Sequence, residues 1–97
     1  MPNQPTEGEI FSTLVGIIAD ALRVKRERIV REALLFNDLG AESLDILDIR
    51  FQIERAFGFK IDQDAMLRAI GRNVSAQEIK ARFSVTSLVQ YVQLRLS

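Results

Sequence analysis

The sequence predicts an all-α fold, a small four-helix bundle with an extra short helix between the second and last helices. Three observations predict it. Apolar residues recur every three or four positions, and no segment sustains the period-2 alternation of a half-buried strand. Helix-start signals precede those runs, as capping boxes at Thr6–Glu9 and Ser75–Glu78 and as Asp62 ahead of a third run. The 97 residues, 47% of them hydrophobic, suffice for one modest core and not for two, so residues 1–97 read as a single domain.

Residues 1–5 are expected to be disordered. Thr6-Glu7-Gly8-Glu9 then opens a first helix of about four turns, with Ile10, Phe11, Leu14, Ile17, Ile18, Ala21 and Leu22 at helical spacing. Residues 23–42 form a long connection that Ile29, Val30, Leu34, Leu35 and Phe36 can pin to the core. Asn37-Asp38-Leu39-Gly40 supplies turn residues. A second helix is expected from Ser43, as its N-cap, to Phe57, with Gly58 where a left-handed C-cap is wanted. On the helical wheel Ile46, Ile49, Ile53, Ala56 and Phe57 form its core face. Phe59-Lys60-Ile61 is extended, and Asp62 caps a brief helix over 63–70 that Gly71 stops. Ser75 opens the extra helix to about Phe83. Thr86 or Ser87 caps the last helix, with Leu88, Val89, Val92 and Leu96 on one face.

The composition restricts the chemistry. With no Cys there is no thiolate nucleophile and no cysteine zinc site, and with no His the commonest general base and metal ligand is missing. The chain is therefore expected to be no enzyme and to hold no metal. Its first residues lack the basic and apolar regions of a secretory signal, and no apolar stretch is long enough to span a bilayer. A cytoplasmic location is expected.

The 13 basic and 13 acidic residues cancel, but they are unevenly placed. Arg23, Lys25, Arg26, Arg28 and Arg31 crowd the stretch from Arg23 to Glu32 against two carboxylates. From Asp38 to Glu54 the sign inverts: Asp38, Glu42, Asp45, Asp48 and Glu54 face Arg50 alone. Such asymmetry orients a charged partner. The basic stretch has no interleaved aromatic residues and no recognition motif, so no nucleic-acid partner is expected.

The most informative segment is Asp38-Leu39-Gly40-Ala41-Glu42-Ser43-Leu44-Asp45. Gly40 permits a sharp turn, and a serine at a helix start commonly does nothing more than cap it. The order of first helix, long loop, Asp-Leu-Gly-x-x-Ser-Leu-Asp and acidic second helix resembles the acyl carrier protein family, from about Ile10 to Ile61 and again from Val85 to Tyr91. The resemblance implies a bundle of acyl-carrier type and a 4′-phosphopantetheine arm on Ser43, taken from coenzyme A by a phosphopantetheinyl transferase. It implies an acyl chain carried as a thioester for acyl synthases or acyltransferases of fatty acid or related lipid synthesis. The protein would then be a phosphoprotein and a monomer. An amino-acyl or polyketide carrier shares the same core motif, and an unmodified helical interaction module remains an alternative.

A second apolar group, Leu44, Leu47 and Phe51, lies nearly opposite the core face of the second helix. It is either a docking edge, with Asp38, Glu42, Asp45, Asp48 and Glu54 steering a basic partner, or a face covered by the segment that follows. The chain departs from the family's pattern in its neutral charge, in Glu42 where Asp is usual, in Arg50 and Arg55, and in its basic first loop. The stretch over 65–82 is also longer than the family's third-helix region. Met66, Leu67, Ile70, Val74, Ile79 and Phe83 predict that it is packed helix.

Overall fold

The computed structural model describes residues 4–71 and 75–97. Its first helix, α1 (Glu7–Leu22), begins with the predicted reciprocal box: the Glu9 N–H donates to Thr6 Oγ1 at 3.2 Å, and the Thr6 N–H to Glu9 Oε1 at 2.7 Å. It buries Ile10, Leu14, Val15, Ile17 and Ile18 and ends at Arg23, a non-glycine residue held left-handed at φ 57°. Of the five N-terminal residues expected to be disordered, residues 1–3 lie outside the described residues. Gln4 donates from Nε2 to the Leu96 carbonyl.

The connection that follows contains a 3₁₀ turn, Arg26–Arg28, and is stitched to the chain's far end. The Leu35 N–H bonds the Phe83 carbonyl at 2.9 Å, and the Val85 N–H bonds that of Ala33 at 3.0 Å. The Arg31 carbonyl accepts from both the N–H and the hydroxyl of Thr86, at 3.0 and 2.8 Å. Beneath these bonds Ile29, Ala33 and Leu35 are buried, and the Phe36 ring meets Phe83 edge-on, with centroids 5.8 Å apart. Val30, expected among the pins, is instead half exposed, whereas its neighbour Ile29 at the end of the 3₁₀ turn is buried.

Three further elements follow α2 (Ser43–Phe57): α3 (Gln63–Gly71), α4 (Ala76–Arg82) and α5 (Val85–Leu96). Gly58 caps α2 left-handed at φ 81°, and Asp62 Oδ1 accepts the N–H groups of Asp64 and Ala65 at the start of α3. Ser75 caps α4 by accepting the Glu78 N–H. The last helix starts earlier than expected, capped by Ser84 and not by Thr86 or Ser87. The N–H groups of its first two residues are satisfied by the long loop, so the helix can begin as soon as the loop reaches it.

Packed against both α2 and α5 is α1, and α3 packs against α4 and α5. One core joins them, with Leu14, Ile53, Met66, Phe83, Leu88 and Val92 fully buried. Each such side chain contributes about 1.5–3 kcal/mol by leaving water. The fold is all-α, as the periodicity predicts, and the extra short helix is α4. The only extended pairing among the described residues is an isolated bridge between Leu34 and Ser84. Ala56, assigned to the core face, is exposed and lines a surface cleft with Thr13 and Phe57. Val74 lies outside the described residues. No helix among the described residues is long and apolar enough to cross a membrane.

Candidate functional site

Two nested turns build the approach to α2. The Asp38 carboxylate accepts the Leu34 N–H at 2.8 Å, and the Leu34 carbonyl takes the N–H groups of Asp38 and Leu39 at 2.9 and 3.0 Å. The Ala41 N–H then reaches the Leu35 carbonyl at 2.8 Å. Between them Gly40 sits at φ 76°, a left-handed conformation that costs a side-chain-bearing residue about 1–2 kcal/mol. Leu39 and Ala41, on either side of it, are both buried, so the turn is fastened at two points. Glu42, Ser43 and Leu44, which follow, are all exposed.

Ser43 is not the N-cap. Glu42 is, with extended dihedrals, and its N–H donates to Asp45 Oδ2 at 2.8 Å. Ser43 is therefore the first helical residue, and the Glu42–Asp45 pair takes over the capping task assigned to it. Its hydroxyl makes no hydrogen bond among the described residues, in contrast to Ser75 and Ser84, whose side chains accept N–H groups of their own helices. The serine stands where helix geometry leaves backbone N–H groups without a carbonyl one turn back.

The second apolar group of α2 is open to solvent: Leu44 is 77% exposed, Leu47 36% and Phe51 50%. The segment over 62–83 does not cover it. Exposed Asp48 lies alongside, linked through Gln52 Nε2, which donates to Asp48 Oδ1 and to Asp20 Oδ2. The Arg50 guanidinium packs over the Phe51 ring, 4.7 Å from its centroid.

Two predicted docking carboxylates have other duties. Glu54 does not join the exposed face: its side chain is 13% exposed, and its Oε2 accepts the Ile61 N–H at 2.7 Å. Arg50 completes that grip by donating from Nη1 to the Ile61 carbonyl at 3.0 Å. Asp38 is exposed, but its carboxylate closes the turn described above. The fold thus gathers Glu42, Ser43, Leu44, Leu47, Asp48 and Phe51 on one open face, turns the half-buried Asp45 to the Glu42 N–H and withdraws Glu54. The sequence places Arg50 alone among these acids but does not give its part in holding Ile61. Its i,i+4 spacing from Glu54 was the available signal.

A phosphodiester-linked arm fits here. Ser43 is exposed, and the first turn of α2 offers N–H groups and the positive end of its dipole. Asp45, the nearest carboxylate along the helix, is turned toward the Glu42 N–H. The bundle interior is closed by Ile46, Met66 and Phe83. Between α3 and α5 lies a shallow cleft of about 150 Å³, lined by Ala69, Ile70, Ser87, Gln90, Tyr91 and Leu94.

Comparison with known proteins points the same way. Residues 12–76 match the family model described as "Phosphopantetheine attachment site". The chain is 36% identical to the acyl carrier protein of Thermotoga maritima over 91% of its own length and 93% of the relative's. It is 37% identical to that of Amoebophilus asiaticus over 92% and 95% of the two lengths. It is also 45% identical over 51 residues, 53% of this chain and 55% of the relative, to "Acyl carrier protein AcpXL" of Brucella melitensis.

Proposed function

The chain belongs to the acyl carrier protein family, and from that premise we propose that Ser43 is the residue to which its 4′-phosphopantetheine is attached and that it serves fatty acid or related lipid synthesis. As a member of that family it is a carrier and not an enzyme, and partner enzymes make and break the bonds. The bound group supplies a terminal thiol on which an acyl unit is held as a thioester.

One observation carries the reading: at the exposed start of α2, the serine is relieved of capping by Glu42 and Asp45 and keeps its hydroxyl available. The buried pair Leu39 and Ala41 fixes where that hydroxyl stands, and Gly40 lets the chain turn between them. When Ser43 Oγ attacks the pantetheine-side phosphorus of coenzyme A, the new P–O bond replaces the pyrophosphate P–O bond and adenosine 3′,5′-bisphosphate leaves. The serine proton passes to a base of the transferase, since this chain has no His to receive it. The N–H groups at the start of α2 then face the new negative charge.

Leu44, Leu47 and Phe51 are the apolar anchors of the docking face, and Glu42 and Asp48 steer a basic partner toward it. Burial of an exposed leucine in a partner's pocket contributes about 1.5–3 kcal/mol.

Co-expression with a broad-specificity phosphopantetheinyl transferase tests the assignment. Intact mass should rise by one phosphopantetheine group, and Ser43→Ala should abolish the gain. An unchanged wild-type mass, or a gain that survives in Ser43→Ala, would overturn it. The mass of the chain isolated from its own cell tests the cargo: a fatty acyl increment supports the lipid role, and an amino-acyl or polyketide increment defeats it.

A further inference from the structure

Beside the acidic start of α2 the molecule holds a second charged surface that docking through α2 does not use. Arg23, Lys25, Arg26 and Arg28 fall within six residues, and all are exposed. Among the described residues none of these four is ion-paired. The three ion pairs are Arg31–Glu7, Arg50–Glu54 and Arg82–Glu78. Glu27 is the one carboxylate within the stretch.

The stretch is held in place. Ile29 is buried at its end, and the Ile29 N–H closes the 3₁₀ turn on the Arg26 carbonyl. Arg26 lies against α1 at Gly16, where an added Cβ would stand 3.3 Å from its guanidinium. Arg28 Nη2 donates to the Asp38 carbonyl at 3.1 Å. That last bond sets the distance to the site. Ser43 is five positions beyond Asp38, so Arg28's contact point lies within roughly 18 Å of the serine even for an extended chain. A standard interface covers about 800 Å² per partner, a disc roughly 30 Å across. The Arg28 end of the stretch therefore falls within one footprint of the acidic start of α2. Its other end begins three positions past Asp20, which shares the Gln52 amide with Asp48 of α2.

The positive end of this surface has a structural use, since cations near the end of α1 complement its dipole. That accounts for Arg23, at the helix end, but Arg28 lies beyond the last turn, where the effect has faded. A uniformly anionic surface, whether lipid or nucleic acid, would bring its charge against Glu42, Asp45 and Asp48 as it approached the cations. A protein surface that carries both signs would not.

We propose that the Arg23–Arg28 stretch is a second docking edge, which recognises an acidic patch on an acyl-processing partner whose neighbouring basic patch receives α2. The inference rests on the carrier reading above. It makes partner choice a matter of two opposed charge contacts, so an enzyme with a basic patch alone meets repulsion at the loop.

The test uses the full-length chain, loaded at Ser43 with phosphopantetheine and an acyl group. Its partner is the acyl-consuming enzyme purified from the same cell by its activity on that carrier. In Lys25→Glu/Arg26→Glu both side chains are exposed and the bonds from the two backbone carbonyls are kept. Because Arg26 also lies against Gly16, Lys25→Glu alone is measured beside it and should raise KM in the same direction. The double variant should raise the KM of that enzyme about tenfold and leave kcat unchanged. Lys25→Gln/Arg26→Gln should give an intermediate rise. An enzyme whose acidic carrier-facing residue is changed to Lys should regain KM toward the doubly acidic carrier. Loading of Ser43 by the broad-specificity transferase should stay within about twofold, because α2 carries that contact.

If wild-type loading fails, the carrier reading itself falls. If loading succeeds and both double variants keep the wild-type KM, only the second edge is overturned. It is equally overturned if the substitutions abolish binding to phosphatidylglycerol–phosphatidylcholine vesicles, or abolish self-association in sedimentation, with KM unchanged.

Discussion

At the start of α5, Ser84 occupies the N-cap and its Oγ accepts the Ser87 N–H at 3.1 Å. At the start of α2, Ser43 stands one residue further into its helix, and Glu42 and Asp45 perform the equivalent task without it. Both helix entries are fastened to the same residue: the Leu35 N–H bonds the Phe83 carbonyl beside one, and the Leu35 carbonyl accepts the Ala41 N–H beside the other. The comparison teaches that a displacement of one position decides whether a hydroxyl is engaged by the backbone or left for chemistry. The scaffold that holds both can be common.

The largest expected effect comes from removing that common support. Leu35 is fully buried, so Leu35→Ala should lower stability by about 2–5 kcal/mol in urea denaturation. Amide exchange should quicken together at Ala41 and Val85, and loosening at one entry alone would break the idea of a shared fastening. Next comes Gly40, where an added Cβ meets no atom within 4 Å and the loss is therefore purely conformational. Gly40→Ala should cost about 1 kcal/mol and slow transferase loading. Gly58→Ala, with a similar φ of 81° at the other end of α2, should cost about as much and leave loading unchanged. Equal loading rates in the two variants would show that the turn does not position the serine.

The smallest effects sharpen the comparison most directly. Ser84→Ala should cost about 1 kcal/mol by losing a cap. Ser43→Ala should stay within about 0.5 kcal/mol of the parent, since its side chain is exposed and holds no backbone group among the described residues. A loss at Ser43 that matches the loss at Ser84 would mean that the hydroxyl is structural after all.

What could be read before the fold was known follows from how local each determinant is. Thr6, Asp62 and Ser75 cap helices through bonds two or three residues along the chain, and each was legible from spacing. The faces of α1 and α2 were legible for the same reason, and so was the open stripe of Leu44, Leu47 and Phe51, although not whether anything covered it. The start of α5 was misplaced because Ala33 and Arg31, more than fifty positions away, satisfy its first N–H groups. Glu54 read as a docking acid because its partner, the Ile61 N–H, lies beyond the helix end in a segment with no pattern of its own. The Asp-Leu-Gly-x-x-Ser motif carries the proposal for Ser43. The duties of Glu42 and Asp45 needed coordinates, since Ser, Asp and Glu near a helix start admit more than one capping arrangement.

The grip on Ile61 has a mechanical consequence. With its N–H held by Glu54 and its carbonyl by Arg50, both from α2, this buried residue works as a rivet and not as a hinge. A push on α3 is passed into the lower half of α2 instead of being absorbed in the connection between them. The helix that presents the serine at one end thus has its other end clamped, like a lever arm fixed at its base.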